Sequence, residues 1–253
     1  MRPKGILAIG LGAVIYGTGL PAYEEPVHLT ITAAAAEFAG FSPSDAFEIA
    51  KYDWGTDDDP TTDPMTRSLS AVERARGLKA RRDFHFVTDA RLGELSASAD
   101  RACSGAFGSV QQKAVGQYLH ALEDSYSHRD YDPELGHLTA GTSPDKPWND
   151  PGGLREMFAR KFNALLRLRG RCITVPNRAV TAIERFERAT KILDTWVRAE
   201  SQAGLGDVFL GNERRWENTL RQLLGADFDR LTIDTARRYR EWLAQQRAKG
   251  WPQ

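Results

Sequence analysis

Between residues 111 and 128 the apolar side chains Val115, Leu119, Leu122 and Tyr126 recur at helical spacing. Such a stripe buries one side of a helix, and it sets the class of fold open to the chain. The same period returns downstream. Leu154, Phe158, Phe162, Leu165 and Leu166 mark a basic amphipathic helix over residues 154–168. Residues 177–253 read as helical throughout, in three stripes: Val180, Ile183, Phe186, Ile192, Trp196 and Val197; then Trp216, Leu220, Leu223 and Leu224; then Tyr239, Trp242 and Leu243. Strand-like alternation is nearly absent. The pattern predicts an all-α fold, a single multi-helix domain of antiparallel packed helices.

Punctuation divides the first half. Residues 33–38 look helical, Gly40 fits a C-terminal stop, and Ser42-Pro43-Ser44-Asp45 restarts a helix. Residues 55–64 (GTDDDPTTDP) read as a loop, and residues 70–80 as a polar helix. Residues 93–108 are rich in small side chains and take no clear assignment. Residues 131–153 read as a long loop, a length that in a folded domain usually serves a function.

With 41% apolar residues the 253-residue chain is no disordered one. Its 34 basic and 34 acidic residues balance, so the chain lacks the strongly basic footprint of a nucleic-acid binder. The Arg-rich stretches 74–82 and 155–171 read as solvated helix faces. At the start, Arg2 and Lys4 precede an uncharged run over residues 5–20, then Pro21-Ala22 and a polar, acidic stretch. That is the layout of a secretory signal. It predicts a signal peptide over residues 1–22, a helical metal-binding domain over 23–253, and export to the periplasm or the medium. The run is short for a membrane span of about 20 residues, and no later segment is apolar enough to make one. In an exported chain Cys103 and Cys172 are free to pair, and closing so long a loop would stabilise by about 4 kcal/mol. Sequence leaves open whether the two meet. There is no C-x-x-C spacing, which argues against a thiolate zinc site.

All five histidines, His28, His85, His120, His128 and His137, lie before residue 138. His120, Asp124 and His128 stand at i, i+4 and i+8, so a helix projects them from one face. Two ligands at i and i+4 suit one metal ion. Imidazole with carboxylate suits zinc, and manganese or iron with less selectivity. Glu123 points off this face, as a solvent-side or supporting residue. His85 lies between two aromatics in DFHF, where an unpaired imidazole would be costly. The acidic stretch after Trp54 supplies Asp57, Asp58 and Asp59.

The order His28, Asp57, His85, then the helix with His120, Asp124 and His128, then His137, resembles the zinc-dependent phospholipase C and single-strand-specific nuclease superfamily. The likeness covers about residues 28–150. It is closest to a divergent bacterial branch, here in LHALEDSYSH, Gly136-His137, Gly141 and Pro144-Asp145. The resemblance implies an all-α, exported protein with two or three zinc ions. Asp124 would bridge two of them, and His85, His120 and Asp57 would complete one site. His28 would hold a second ion, and His128 with His137 a third. Better-known members place two more residues between the helix aspartate and the next histidine. They also carry a glutamate one turn after the last histidine, where this chain has Gly141; Asp145 is the nearest substitute. Members further use the mature N-terminus as a ligand, and a start near Tyr23, five residues before His28, puts that role in question.

Clustered zinc suits phosphate-ester hydrolysis. Asp57 is the candidate general base, with Asp53 and Asp58 as runners-up. Trp54 and Tyr131 are candidates to line a groove, although aromatics are more often core. Three activities stay open: a phospholipase C-like phosphodiesterase, a single-strand nuclease, and a non-catalytic zinc-stabilised binding domain. The charge balance favours phospholipid over nucleic acid as the phosphodiester partner.

Overall fold

Helix boundaries follow local chemistry. A π-helical segment, Pro26–Ile31, leads into α1 (Thr32–Phe38). The chain then turns at Gly40, whose φ of 95° is one that a side chain resists. Ser42 accepts a hydrogen bond from the Asp45 N–H and opens α2 (Pro43–Asp58), with Pro43 in the first turn. Ser70 and Thr88 cap α3 (Ala71–Ala80) and α4 (Asp89–Ala102) in the same way. A π-helical segment, Arg81–His85, joins these two helices. Then come α5 (Ser109–Ser127), α6 (Pro151–Cys172) capped by Asp150, α7 (Ala179–Gln202), α8 (Gly211–Leu224) and α9 (Thr235–Ala248). The computed structural model describes residues 26–64, 70–104, 107–132, 134, 143–173, 179–203 and 211–251. Among them there is no β-strand, so the protein is all-α. No described helix is long and apolar enough to cross a membrane. The predicted signal segment, 1–22, lies outside the described residues.

Helix α5 runs through the middle, against α2 on one side and α4 and α6 on others. Leu29, Ile49, Leu119, Leu122, Phe158 and Leu165 are fully buried between these elements. The closest approach is at Gly116. A Cβ built there would lie 2.7 Å from the Asp53 nitrogen, the Ile49 oxygen and the Tyr52 Cβ. Only a residue without a side chain lets the two backbones meet. Helices α7 and α8 pack on each other beyond α6, with Trp196 and Trp216 ring centroids 4.9 Å apart. Cys103 and Cys172 form a disulfide, Cα atoms 4.4 Å apart, which ties the end of α4 to the end of α6.

Three sequence readings change. Residues 55–58, read as loop, are the last turn of α2. Packing overrides their weak propensity: Gly55 lies under the Trp242 ring, 3.0 Å from where its Cβ would be, and Thr56 bonds back to the Tyr52 carbonyl. The helix puts Asp53 and Asp57 one turn apart. Residues 93–102 continue α4. Ile183, placed on an apolar stripe, is 51% exposed.

Candidate metal centre

Helices α2 and α5 bring the site together where Gly116 lets them close. Asp53 and Asp57 come from α2, and His120, Glu123 and Asp124 from α5. The two π-helical segments contribute His28 and His85. His28, Asp53, His120, Glu123 and Asp124 have no exposed surface, and His85 has 1%.

Four atoms converge. His85 Nδ1 lies 2.9 Å from Asp124 Oδ2, 3.1 Å from His120 Nε2 and 3.6 Å from Asp57 Oδ1. His120 Nε2 lies 3.3 Å from Asp124 Oδ2 and 3.7 Å from Asp57 Oδ1. Tetrahedral zinc with ordinary bonds to nitrogen and oxygen sets its ligand atoms about 3.3–3.5 Å apart, and these separations bracket that value.

Partners on the far sides of the rings set which nitrogens face inward. His85 Nε2–H donates to the Thr62 carbonyl at 2.9 Å, which leaves its lone pair on Nδ1. His120 Nδ1 faces Asp53 Oδ1 at 3.4 Å, a charge contact that favours hydrogen on that nitrogen, and turns Nε2 to the same place. Two lone pairs and a carboxylate oxygen therefore point at one place, an arrangement that needs a cation or a proton between them. Without an ion a proton does the work. Burial alone would lower the His120 imidazole, but Asp124 and Asp57 outweigh it and push it up to about 10. Asp124 resists its own burial in the same way, held well below the usual carboxylate range by His120, His28 and His85.

Asp57 differs from its neighbours. Its side chain is 9% exposed, and neither carboxylate oxygen accepts a hydrogen bond from the described residues. Burial raises its carboxyl above the ordinary range against the pull of His120, His85 and His28. Asp53 lies behind the imidazoles, accepting from His28 Nδ1 at 3.1 Å. Asp58 accepts from the Tyr239 hydroxyl at 2.6 Å on another side of α2. Of the three aspartates, Asp57 alone faces the converging atoms.

A second set begins at His28. Its Nε2 lies 3.4 Å from Asp124 Oδ1, so Asp124 presents one oxygen to each set. Burial opposes a charge on His28, but Glu123, Asp124 and Asp53 hold its imidazole well above the ordinary value. His28, Asp57 and His120 likewise offer atoms close enough together to hold an ion.

His128 is the C-cap of α5. It stays nearby, with Nδ1 3.8 Å from Asp124 Oδ2 and donating to the His85 carbonyl at 2.9 Å, its ring stacked on Phe86. Asp145 is buried, and burial, then Asp124 and Asp57, push its carboxyl up to about 8. His137 lies outside the described residues. Trp54 is half-buried, its ring 5.8 Å from His28 and 6.1 Å from Tyr239.

Glu123 is no solvent-side residue. It is fully buried, with Oε2 2.7 Å from His28 Nδ1. Thr32 and Lys161 complete the layer behind His28, and sequence reading passed over both. Their signal was Lys161 itself, a charge on the apolar face of α6 between Met157, Phe158 and Leu165.

Comparison with protein-family models, with curated proteins and with solved structures finds no match. The buried groups themselves show that these clusters are capable of binding a metal ion.

Proposed function

We propose that this protein is an exported zinc-dependent phosphodiesterase of the phospholipase C and single-strand-specific nuclease type, acting on a phospholipid. The observation that carries the reading is the buried convergence of His85 Nδ1, His120 Nε2 and Asp124 Oδ2, a group able to hold an ion, with Asp57 Oδ1 3.6 and 3.7 Å from the two imidazole nitrogens. Buried carboxylates persist when paired or when they coordinate metal. Asp53, Glu123, Asp124 and Asp145 are all buried here with Lys161 and the imidazoles of His28, His85 and His120, a set of groups in which a bound cation can replace protons. The disulfide supports export, because such bonds persist in oxidising compartments.

Zinc bound by such residues would make water a nucleophile near neutral pH and neutralise charge building on a phosphoryl group. The chain's own groups do the rest. The Thr62 carbonyl anchors His85, and His120 backs onto Asp53 at 3.4 Å. Asp57 lies at the longest separations of the set, 3.6 and 3.7 Å, and its carboxylate oxygens accept no hydrogen bond from the described residues. It is the group placed to take a proton from an attacking water. His128 and Asp145 extend the cluster toward further ions or substrate oxygens.

Zinc analysis with assay on a simple phosphodiester and on phosphatidylcholine tests this. Asp57→Asn should keep most of its zinc and lose about 100-fold or more in turnover, the scale of a lost general base. His120→Ala should lose metal and activity together. A zinc-loaded wild type that cleaves no phosphodiester and binds no phosphate would reduce the centre to a structural one.

A further inference from the structure

Thr32, Glu123 and Lys161 reach none of the four converging atoms, yet each is fully buried. Lys161 is the most telling. An ammonium inside an apolar helix face persists only when its charge is met. Here Nζ bonds Glu123 Oε1 and donates to Thr32 Oγ1 at 2.8 Å. The Thr32 hydroxyl gives its proton toward Asp53 Oδ2 at 2.6 Å or Glu123 Oε1 at 2.9 Å. The far oxygens of both carboxylates, Glu123 Oε2 and Asp53 Oδ1, then face His28 Nδ1 at 2.7 and 3.1 Å.

His28, Asp53 and Glu123 lie close enough together to hold a metal ion themselves. Lys161 already supplies a cation there, so this trio backs the centre and does not add an ion to it. Its effect falls on the imidazole. Two carboxylate oxygens can only accept, so the His28 nitrogen between them must carry hydrogen. The other nitrogen, Nε2, is then the one turned to Asp124 Oδ1, where a cation would displace its proton.

We propose that Lys161 is a positioning residue. By fixing Glu123, and Asp53 through Thr32, it keeps the proton on His28 Nδ1 and so makes Nε2 the ligand for a second cation shared with Asp124. The assignment rests on the reading of the cluster as a cation centre. Supporting partners of this kind commonly change metal affinity 10–100-fold.

The test is zinc titration of the full chain by equilibrium dialysis, on wild type, Glu123→Gln and the double variant Glu123→Gln/Lys161→Met. With Lys161 present, the ammonium holds the carboxamide oxygen, and its NH2 is forced toward His28 Nδ1. Glu123→Gln should therefore keep the ion held by Asp57, His85, His120 and Asp124 but bind the second about 10–100-fold more weakly. Removing the ammonium as well lets the carboxamide turn its oxygen to Nδ1–H, and the second ion should return. A merely structural pair would show no such recovery. Equal affinity for both ions in Glu123→Gln, or no recovery in the double variant, overturns the proposal. Should the variants fail to fold, the zinc-loaded wild type decides by long-range ¹H–¹⁵N spectra: His28 Nδ1 must be protonated, and an unprotonated Nδ1 overturns it. A wild type binding a single zinc, at the four-atom set, sinks this inference alone, whereas one that binds none sinks the cation centre and this inference with it.

Discussion

Helices α5 and α8 are both amphipathic, yet they bury opposite kinds of surface. Helix α8 turns Trp216, Leu220, Leu223 and Leu224 inward and keeps most of its ions outside: Arg221 and Glu217 pair across one turn with both side chains more than half exposed, while Arg215 reaches a buried carboxylate, Glu200 of α7. Helix α5 buries Leu119 and Leu122, but also His120, Glu123 and Asp124. The first helix needs mainly an apolar neighbour. The second needs particular partners from distant parts of the chain: His28 and Asp53 before it and Lys161 after it. Where charge is buried, stability depends on compensation as well as area, and compensation is all or none in a way that area is not.

The largest effect should come from removing the compensating cation. Lys161→Met leaves Glu123 buried without its ammonium and should lower the unfolding free energy by about 3–5 kcal/mol, measured by denaturant titration. Leu223→Ala in α8 should cost about 2–5 kcal/mol. The two should part on adding zinc: the α8 variant should keep the full zinc-dependent gain, whereas Lys161→Met should lose part of it. Equal zinc-dependent gains would erase the contrast between the regions.

Gly116→Ala comes next. Its methyl would meet backbone atoms at 2.7 Å, and overpacking of this kind costs about 1–3 kcal/mol. Because α2 must move away from α5, zinc affinity should fall as well, though no ligand has been changed. Isothermal titration would show it, and unchanged affinity would mean that the ligands do not depend on this contact.

A further prediction concerns pH. An imidazole titrates near 6.5 in the unfolded chain, and His120 is pushed up to about 10 in the folded one. The raised value means its contribution to stability is whole below pH 6.5 and is lost as pH rises to about 10. Asp145, pushed up to about 8, acts in the same sense between its ordinary carboxylate range and pH 8. Protein stripped of zinc should therefore melt at progressively lower temperature from pH 6.5 to 10, and zinc should flatten that slope by taking the proton's place. A flat profile in the stripped protein would contradict the converging lone pairs.

This division also explains what sequence could reveal. The α8 pattern is local, and its stripe was legible from spacing alone. So were the His120 and Asp124 pair and the stop at Gly40. The last turn of α2 was not, because Gly55, Thr56 and two aspartates favour a loop until Trp242 and α5 pack against them. The inward side of Glu123 was equally hidden. Its partner Lys161 lies on α6, and nothing near residue 123 announces it. Pairing of Cys103 with Cys172 depended on where α4 and α6 end in space, which no local pattern carries.

The meeting of α2 and α5 at Gly116 bears on which ions the site would accept. With no side chain between the helices, the span from Asp57 to His120 is set by main-chain contact, which has little give. A stiff span discriminates by ionic radius. Calcium, with bonds of about 2.3–2.6 Å and six to eight ligands, would have to spread a frame that backbone atoms hold shut, and further than would the smaller zinc proposed for it.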